Sequence, residues 1–486
     1  MVEVELKFQI PEARRNALLK ALDPKKSEII QLKAKYYDTE ECLLSQHGVA
    51  LRQRLEGTRW IQTLKAAGKS HLHRFEHNYD LGEQEQTPEL DLTIYNNDDE
   101  AQQILSNALG NSQAQLKLQF ETDIQRTFRV LQFEETEIEV SLDIGEVRTE
   151  TAQREVHEVE FELKAGSIQA LLAFSFAWVK KYQLWLDVRS KAEVGHLLAK
   201  HQKVSPAKSA KEFTLSKKDA ANKNLRLLIA QQLQHLLPNI AAIAAVVAGK
   251  EHVQQAQIAL DHLNLTLSLF KDWNEAVSDK WAMQLGAFKQ QFDHLQHLEH
   301  MQTTLGAFLQ NPNTASNLTK DILYAKEKLS NLVRSTQNVH HYLELLMFSL
   351  EHEEKPQSHD LKWFAQNTLQ NQYKQLQDSL ASADIADFES LDKLSTKIHE
   401  LKFSFPILTS IYDVKNLQKY SKALNDAQLA ASEYQILASS AAYIQQTELE
   451  ASDWFVLGWL TAKQEVYAQH LLEATEQFLV SRKFIK

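Results

Sequence analysis

Residues 2–8, VEVELKF, set Val2, Val4, Leu6 and Phe8 against Glu3, Glu5 and Lys7. Alternation with a period of two predicts a β-strand with one apolar face. The other face carries only charge. Glu3 and Glu5 lie two residues apart on one strand, roughly 7 Å from each other. That spacing suits a shared hard cation with oxygen ligands, or simply a face that meets water. The pattern recurs along the first part of the chain. Residues 49–57 place Leu51, Gln53 and Leu55 opposite Arg52, Arg54 and Glu56. Residues 60–68 put Ile61, Thr63 and Lys65 on one face, and residues 73–81 put Arg74 with Glu76 and Phe75 with Tyr79 opposite. Residues 135–147 set Glu137, Glu139, Ser141 and Asp143 against Ile138, Val140 and Leu142. Residues 154–166 set Glu158, Glu160 and Glu162 against Val159, Phe161 and Leu163.

Solvation alone does not explain this segregation, because a free surface intersperses the two signs. A sheet closed on itself turns one face of every strand inward. With the charged faces inside, arginines and lysines line one part of the lumen and carboxylates another. Unpaired buried charge is costly, so such a lumen calls for a ligand. The complement is a polyanion held together with divalent cations. Arginine makes bidentate contacts to phosphate oxygens, and carboxylates hold Mg²⁺ or Mn²⁺ that bridges them.

Beyond residue 205 the period changes from 2 to 3.6, in long segments rich in Leu, Ala and Gln. Residues 1–205 hold eleven arginines and eight glycines, whereas residues 206–486 hold Arg226, Arg334 and Arg482 and four glycines. The polar, aperiodic stretch VSPAKSAKEFTLSKKDA at 204–220 reads as a linker. The expected division is therefore a β-rich domain over 1–203, a linker over 204–218 and an all-α domain over 219–486. Helices at 98–110 and 167–182 are expected to cover the sheet from outside.

The 486 residues allow two or three domains, and 43% apolar with 24% charged content is ordinary for a soluble globular chain. A net charge of −11 argues against a general nucleic-acid binder. Cys42 is the sole cysteine, which rules out a disulfide framework and suits a reducing compartment. The start of the chain lacks the charged and apolar regions of a signal peptide. The longest apolar run, IAAIAAVVA at 240–248, is too short to span a bilayer. The expectation is a soluble, cytoplasmic protein with neither a membrane nor a nucleic-acid partner.

The stretch EVELK resembles the ExExK signature of the CYTH superfamily, the triphosphate tunnel metalloenzymes. The resemblance covers about residues 1–200 and continues through YYDT (36–39), LRQR (51–54), TLKAAG (63–68), HRFEHN (73–78), FETDIQR (120–126), IEVSLDIGEV (138–147), EVEFEL (158–163) and RSKAE (189–193). The layout with a long helical region after it is similar to bacterial inorganic triphosphatases of the CYTH–CHAD type. One departure lies in SKAEVGH, where Val194 stands in place of the family's Arg and His196 in place of its Tyr. That puts one phosphate contact in question.

The resemblance implies an α+β protein whose eight-stranded antiparallel barrel holds linear triphosphate. Lys7, Arg52, Arg54, Lys65, Arg74, Arg126 and Lys191 would grip phosphate oxygens. Glu3, Glu5, Glu76, Asp143, Glu158 and Glu160 would hold Mg²⁺ or Mn²⁺, and Lys65, Glu158, Glu160 and Lys191 would serve catalysis. Water would cleave inorganic triphosphate into pyrophosphate and orthophosphate. The alternatives are hydrolysis of thiamine triphosphate or a nucleoside triphosphate, adenylate cyclisation, or non-enzymatic polyphosphate binding. Of the minor candidates, Cys42 lacks the paired His of a nucleophile. His294, His297 and His300 read as a polar helix face before a metal site. Of Tyr36 and Tyr37, one either points inward toward phosphate or packs against a helix at 12–22, and the sequence leaves both open.

The helical region resembles a CHAD domain, a bundle that in its usual form binds polyphosphate through basic helices. In residues 251–270 the apolar frame of that form survives in Ile258, Leu260, Leu263, Leu267, Leu269 and Phe270, while Gln254, Gln257, Asp261, His262 and Asn264 fill its His and Arg positions. A weaker match at 398–408 keeps His399 and Lys402 but continues with Pro406 and Ile407. The helical domain is thus expected to pack on the tunnel domain or another protein, and polyphosphate binding is not expected of it.

Overall fold

In the computed structural model of this chain, the described residues are 2–68, 73–110, 115–213, 215–306, 309–350, 357–411, 417–446 and 449–481, and the side chains of residues 2, 3, 73 and 417–419 are outside the description. The alternating stretches form strands β1 (Val2–Gln9), β2 (Glu28–Asp38), β3 (Val49–Glu56), β4 (Arg59–Ala67), β5 (His73–Glu83), β6 (Lys117–Phe133), β7 (Thr136–Arg148) and β8 (Gln153–Ala165). A two-residue strand, β9 (Trp185–Leu186), adds to β1. The sheet runs β5-β4-β3-β2-β6-β7-β8-β1-β9, and a further pairing of β1 with β5 closes the eight longer strands into an antiparallel barrel. Gly57, at φ +64, supplies the positive φ that the tight turn between β3 and β4 needs.

The apolar faces point outward and are covered. Leu51, Leu64 and Phe75 pack with Leu105, Ala108 and Leu109 of α3 (Asp99–Leu109). Phe161 of β8 meets Phe174 and Trp178 of α4 (Ile168–Tyr182), with ring centroids 5.3 and 5.5 Å away. Helix α1 (Arg15–Ala21) buries Leu18, and the short α2 (Leu43–Gln46) follows β2.

The inner faces are not charged from end to end. Leu32, Ala34, Tyr36, Phe120, Ile124, Val147 and Val156 form an apolar cluster on the inward parity, against which Ala192, Val194 and Leu198 of α5 (Lys191–Ala199) pack. Helix α5 thus plugs one end of the barrel. Gly195 makes this possible, since a Cβ there would lie 2.1 Å from the Phe120 ring.

The helices that follow are α6 (Ala221–Ala244), α7 (Lys250–Leu269), α8 (Asp279–Leu305), α9 (Pro312–Val333), α10 (Thr336–Leu350), α11 (Leu361–Ala381), α12 (Phe388–Thr409), α13 (Leu417–Gln445) and α14 (Ala451–Val480). The chain divides into two compact units. The first joins Met1–Ser209 with Leu233–Ala256 and Ser330–Phe348, and the second comprises Ala210–Gln232, Gln257–Leu329 and Ser349–Lys486. The first unit therefore includes pieces of the helical region. Within it, Arg334 covers the Trp185 ring at 4.9 Å, and the His340 ring meets Phe176 at 5.0 Å. The second unit is held by buried leucines and aromatics such as Phe270, Trp273, Phe292 and Tyr373. Among the described residues, no helix is long and apolar enough to cross a membrane.

Candidate active site

The barrel's register sets the inward charges in rows. Arg126 of β6 is the cross-strand partner of Asp143 of β7, which is in turn the partner of Glu158 of β8. One step along, Ser141 pairs with Glu160, and Glu160 with Lys7 of β1. Cross-strand neighbours on one face lie about 4.5–5.5 Å apart at Cβ, so strand pairing alone brings these groups within reach.

Lys191, at the first turn of the plug helix, reaches into this cluster. Its Nζ lies 2.8 Å from Asp143 Oδ2 and 2.8 Å from Glu160 Oε1, and it also contacts Glu158. Arg126 donates from Nε and Nη2 to Asp143 at 2.7 and 2.6 Å, and from Nη2 to Glu160 at 2.5 Å. Lys7 Nζ stands 3.2 Å from Glu158 Oε2 and donates to the carbonyl of Arg189. Gln9 donates to Glu158 at 3.3 Å. Burial would lower the Lys191 ammonium, but Asp143, Glu158 and Glu160 outweigh it and hold the group well above its usual range. Burial likewise opposes ionisation of Glu160, yet Lys191 and Arg126 keep it well below the usual carboxylate range. Asp143 is lowered by the same two cations against burial. Asp143 and Glu160 are therefore ionised at neutral pH.

The other predicted residues form separate groups. Glu76 of β5 faces Lys65 of β4, with Oε2 to Nζ at 2.8 Å, and Arg52 Nη2 lies 3.9 Å from its other oxygen. Arg74 pairs with Glu5 at 2.7 Å. The Glu3 side chain lies outside the described residues, but its backbone pairs with Arg74. Arg54 pairs with Glu56, and burial with the adjacent Arg52 pushes it down to about 10. It stays charged at neutral pH. The acidic residues expected to hold metal thus fall into a close trio, Asp143, Glu158 and Glu160, whose ligand oxygens lie within 4.8 Å of one another, while Glu5 and Glu76 each sit in an ion pair of their own. An oxygen-only donor set of this kind suits a hard divalent cation, and the Lys191 ammonium at its centre shows that the trio accommodates positive charge.

Of the two tyrosines, Tyr36 faces inward. It stacks on Phe120 at 4.5 Å and its hydroxyl accepts from Arg52 Nη1 at 3.4 Å. Burial pushes that hydroxyl up, but Arg52, Lys191 and Arg54 more than compensate and leave it below its usual value. Tyr37 faces outward and donates to the buried Gln53 at 2.9 Å. Cys42 is buried. His294, His297 and His300 are not among the ligand clusters of the described residues.

Sequence reasoning missed Asp187 and Arg189. This buried pair, bonded at 2.7 and 2.9 Å, presents the Arg189 carbonyl to Lys7. It follows the two-residue β9, where no periodic pattern exists to flag it. A crevice lined by Glu5, Lys7, Arg74 and Asp187 is completed by Leu237 of α6 and Leu346 of α10. Helical periodicity shows which side of α6 and α10 is apolar but not what that side covers.

Comparison with known proteins agrees with this geometry. Residues 1–195 match the CYTH domain and residues 227–445 the CHAD domain. An inorganic triphosphatase from Haemophilus influenzae is 33% identical over 171 residues, covering 34% of this chain and 46% of that protein. The chain's match thus spans about half the length of that curated relative. The crystal structure of the CHAD domain from the plant Ricinus communis aligns with a TM-score of 0.50 at 15% identity, covering 57% of this chain and 96% of that chain, and so supports the helical fold. A protein from Hippeastrum, described as a candidate adenylyl cyclase with a dominant triphosphatase activity, aligns at 14% identity with a TM-score of 0.30, over 42% of this chain and 98% of its own. Barrel and helical bundle agree with the two family matches: the chain carries a CYTH domain at residues 1–195 followed by a CHAD domain at residues 227–445.

Proposed function

We propose that the barrel hydrolyses inorganic triphosphate to pyrophosphate and orthophosphate with Mg²⁺ or Mn²⁺. The observation that carries this reading is the interlocked network of Lys7, Arg126 and Lys191 with Asp143, Glu158 and Glu160. Three cations and three carboxylates neutralise one another in the free protein. A linear polyanion arriving with a metal ion exchanges every partner at once, so charge balance is kept inside the barrel.

Arg126, Arg52, Arg54 and Lys7 would turn to phosphate oxygens, with Lys65 and Arg74 at the flank. Asp143, Glu158 and Glu160 would hold the cation. A divalent ion bound there neutralises phosphate charge and polarises the phosphorus–oxygen bonds. Glu160 would orient the water that attacks the terminal phosphorus, and Lys191 would offset the charge that builds on the departing pyrophosphate. Little covalent work is required of the protein, since positioning and charge neutralisation supply most of the rate in phosphoryl transfer. The Ala192, Val194 and Leu198 side of the plug fills the apolar half of the barrel. That favours a short inorganic chain over a substrate with a bulky organic group. Rates for tripolyphosphate, thiamine triphosphate and ATP, each with Mg²⁺ and with Mn²⁺, test the assignment. Comparable or faster turnover of ATP would overturn it.

The helical region is proposed to lack polyphosphate binding. Its described arginines are engaged, with Arg226 buried and Arg334 donating to the Ala244 carbonyl at 2.5 Å. Asp261, at a position where the usual form carries a basic residue, pairs with Lys289 at 3.1 Å and His399 at 3.5 Å. The cations that remain are therefore partly consumed inside the bundle.

A further inference from the structure

A second cluster lies where the plug helix meets the barrel rim. Asp38, Cys42 and His196 are all buried, and one ligand atom from each lies within 4.8 Å of the other two. The triphosphate chemistry uses none of them. Three elements deliver them: Asp38 ends β2, Cys42 caps α2 in the left-handed conformation at φ 60, and His196 lies on α5. The Asp38 carboxylate is fixed by backbone amides. Its Oδ1 accepts from Thr39 at 2.8 Å and Leu44 at 2.9 Å, and its Oδ2 accepts from Ser45 at 3.0 Å.

His196 is 5% exposed, and its Nδ1 has no hydrogen-bond partner among the described residues. Its Nε2 stands 3.8 Å from Asp38 Oδ2. That is too long for a hydrogen bond. It is close to the separation of two ligands on one tetrahedral ion, about 3.4 Å for metal–ligand bonds of about 2.0–2.2 Å. A buried ring nitrogen without a hydrogen bond is costly, so this imidazole is not placed here by its own hydrogen bonding, and its ring is held by an edge contact to Phe120 at 5.0 Å.

We propose that Asp38, Cys42 and His196 form a site for a thiophilic divalent cation of the zinc type, tying the plug helix to the barrel rim. One sulfur, one nitrogen and one oxygen match zinc rather than the hard ions of the carboxylate trio. Water takes the fourth position. The Cys42 thiol donates to the Glu40 carbonyl at 3.9 Å and has Lys200 beside it; the thiol proton is released and the ammonium gives way when the cation enters. The ion sits on the same helix as Lys191, so it fixes where that ammonium enters the carboxylate trio.

The single cysteine of the chain makes the test specific. Full-length protein is stripped with chelator and titrated with Co²⁺ in excess Mg²⁺. Thiolate-to-cobalt charge-transfer absorption in the near ultraviolet is expected to saturate at one ion per chain and to disappear on adding Zn²⁺. The band should vanish in Cys42→Ser, need at least about tenfold more Co²⁺ in His196→Gln, and persist unchanged in Glu158→Gln. Zn²⁺ should raise the melting temperature of the wild type and leave that of Cys42→Ala unchanged, which does not depend on the histidine variant folding. Absence of the band in folded wild-type protein overturns the site, as does a band of equal affinity in both folded His196→Gln and folded Asp38→Asn.

Discussion

Lys191 and Glu160, 31 residues apart in sequence, meet at 2.8 Å inside the barrel. Lys191 also contacts Asp143 and Glu158, so it acts as the resident cation of the carboxylate trio. Its removal leaves buried Asp143 and Glu158 and half-buried Glu160 with Arg126 and Lys7 as their remaining cations. Lys191→Ala is expected to lose roughly 10²–10³ in kcat and about 3–5 kcal/mol of stability in metal-free buffer. Mg²⁺ should restore much of the stability and little of the rate. Thermal melts with and without the ion, beside a turnover assay, separate the two effects. Equal melting temperatures for variant and wild type under both conditions would contradict the resident-cation role.

Gly195→Ala drives a methyl group into the Phe120 ring, where its Cβ would lie at 2.1 Å. Overpacking of this kind costs about 1–3 kcal/mol. Because Gly195 and Lys191 share a helix, activity should fall with stability. Phe120→Leu in the same chain is expected to recover part of both, and a double-mutant cycle on chemical denaturation measures that coupling.

The trio also sets a pH window. Asp143 and Glu160 have folded-state values below their unfolded ones. Their stabilisation is present above the unfolded values of about 4 and is lost as pH falls through the folded values. Lys191 is raised, so its stabilisation is present below an unfolded value of about 10.4 and is lost as pH rises through the folded one. Stability should therefore be level from about pH 5 to 10 as far as this cluster is concerned, and fall on both sides. In Asp143→Asn/Glu160→Gln the acid limb should flatten, measured by urea unfolding from pH 3 to 7.

Residues 1–203 expressed alone keep every tunnel residue but lose Leu237 and Leu346 beside Glu5, Lys7 and Arg74. They also lose Arg334 over Trp185. The fragment is expected to fold with a melting temperature several degrees below that of the whole chain, since each kcal/mol is worth about 2–4 °C at this size. Its metal-dependent triphosphatase activity should be weakened and still measurable. A fragment with native circular dichroism and no activity would show that the helical pieces complete the site.

Full-length protein carrying Arg52→Ala and Arg126→Ala, which removes the tunnel's grip, should show no sub-micromolar binding of long-chain polyphosphate at ~0.15 M salt, a physiological screening level. Isothermal titration measures this directly. Tight binding by that variant would place a polyphosphate site on the helical region.

The alternation of Arg52 with Gln53 and of Glu158 with Val159 made the strands and their inward faces readable, because period two reports faces directly. Pairing between faces was not readable. Nothing in the sequence matched Glu76 to Lys65 or Glu5 to Arg74, since that depends on register and barrel closure. Parity could not choose between Tyr36 and Tyr37 until β2 was seated beside β3, where Tyr36 opposes Arg52 and Tyr37 opposes Leu51. The expected lumen was charged throughout, whereas Tyr36, Phe120 and Ile124 line an apolar half. Apolar positions within β2 and β6 were legible as such, but only the insertion of α5 gives them a partner inside. The assignment of α6 and α10 segments to the first unit was equally hidden.

The barrel is sealed by its first strand. Val2–Val4 pair with β5, and Glu5–Gln9 pair with β8, which ends at Ala165. On the ribosome, β1 emerges before its partners β5 and β8 and cannot complete its pairing until residues 158–162 have been made. At about 5–20 residues per second that delay is on the order of ten seconds. Throughout it, an alternating strand with Leu6 and Phe8 on one face waits with unpaired backbone groups, the kind of edge that recruits other chains. The charges that equip Glu5 and Lys7 for an anionic ligand also make this nascent strand a poor template for aggregation, so the residues of the site guard the chain before the site exists.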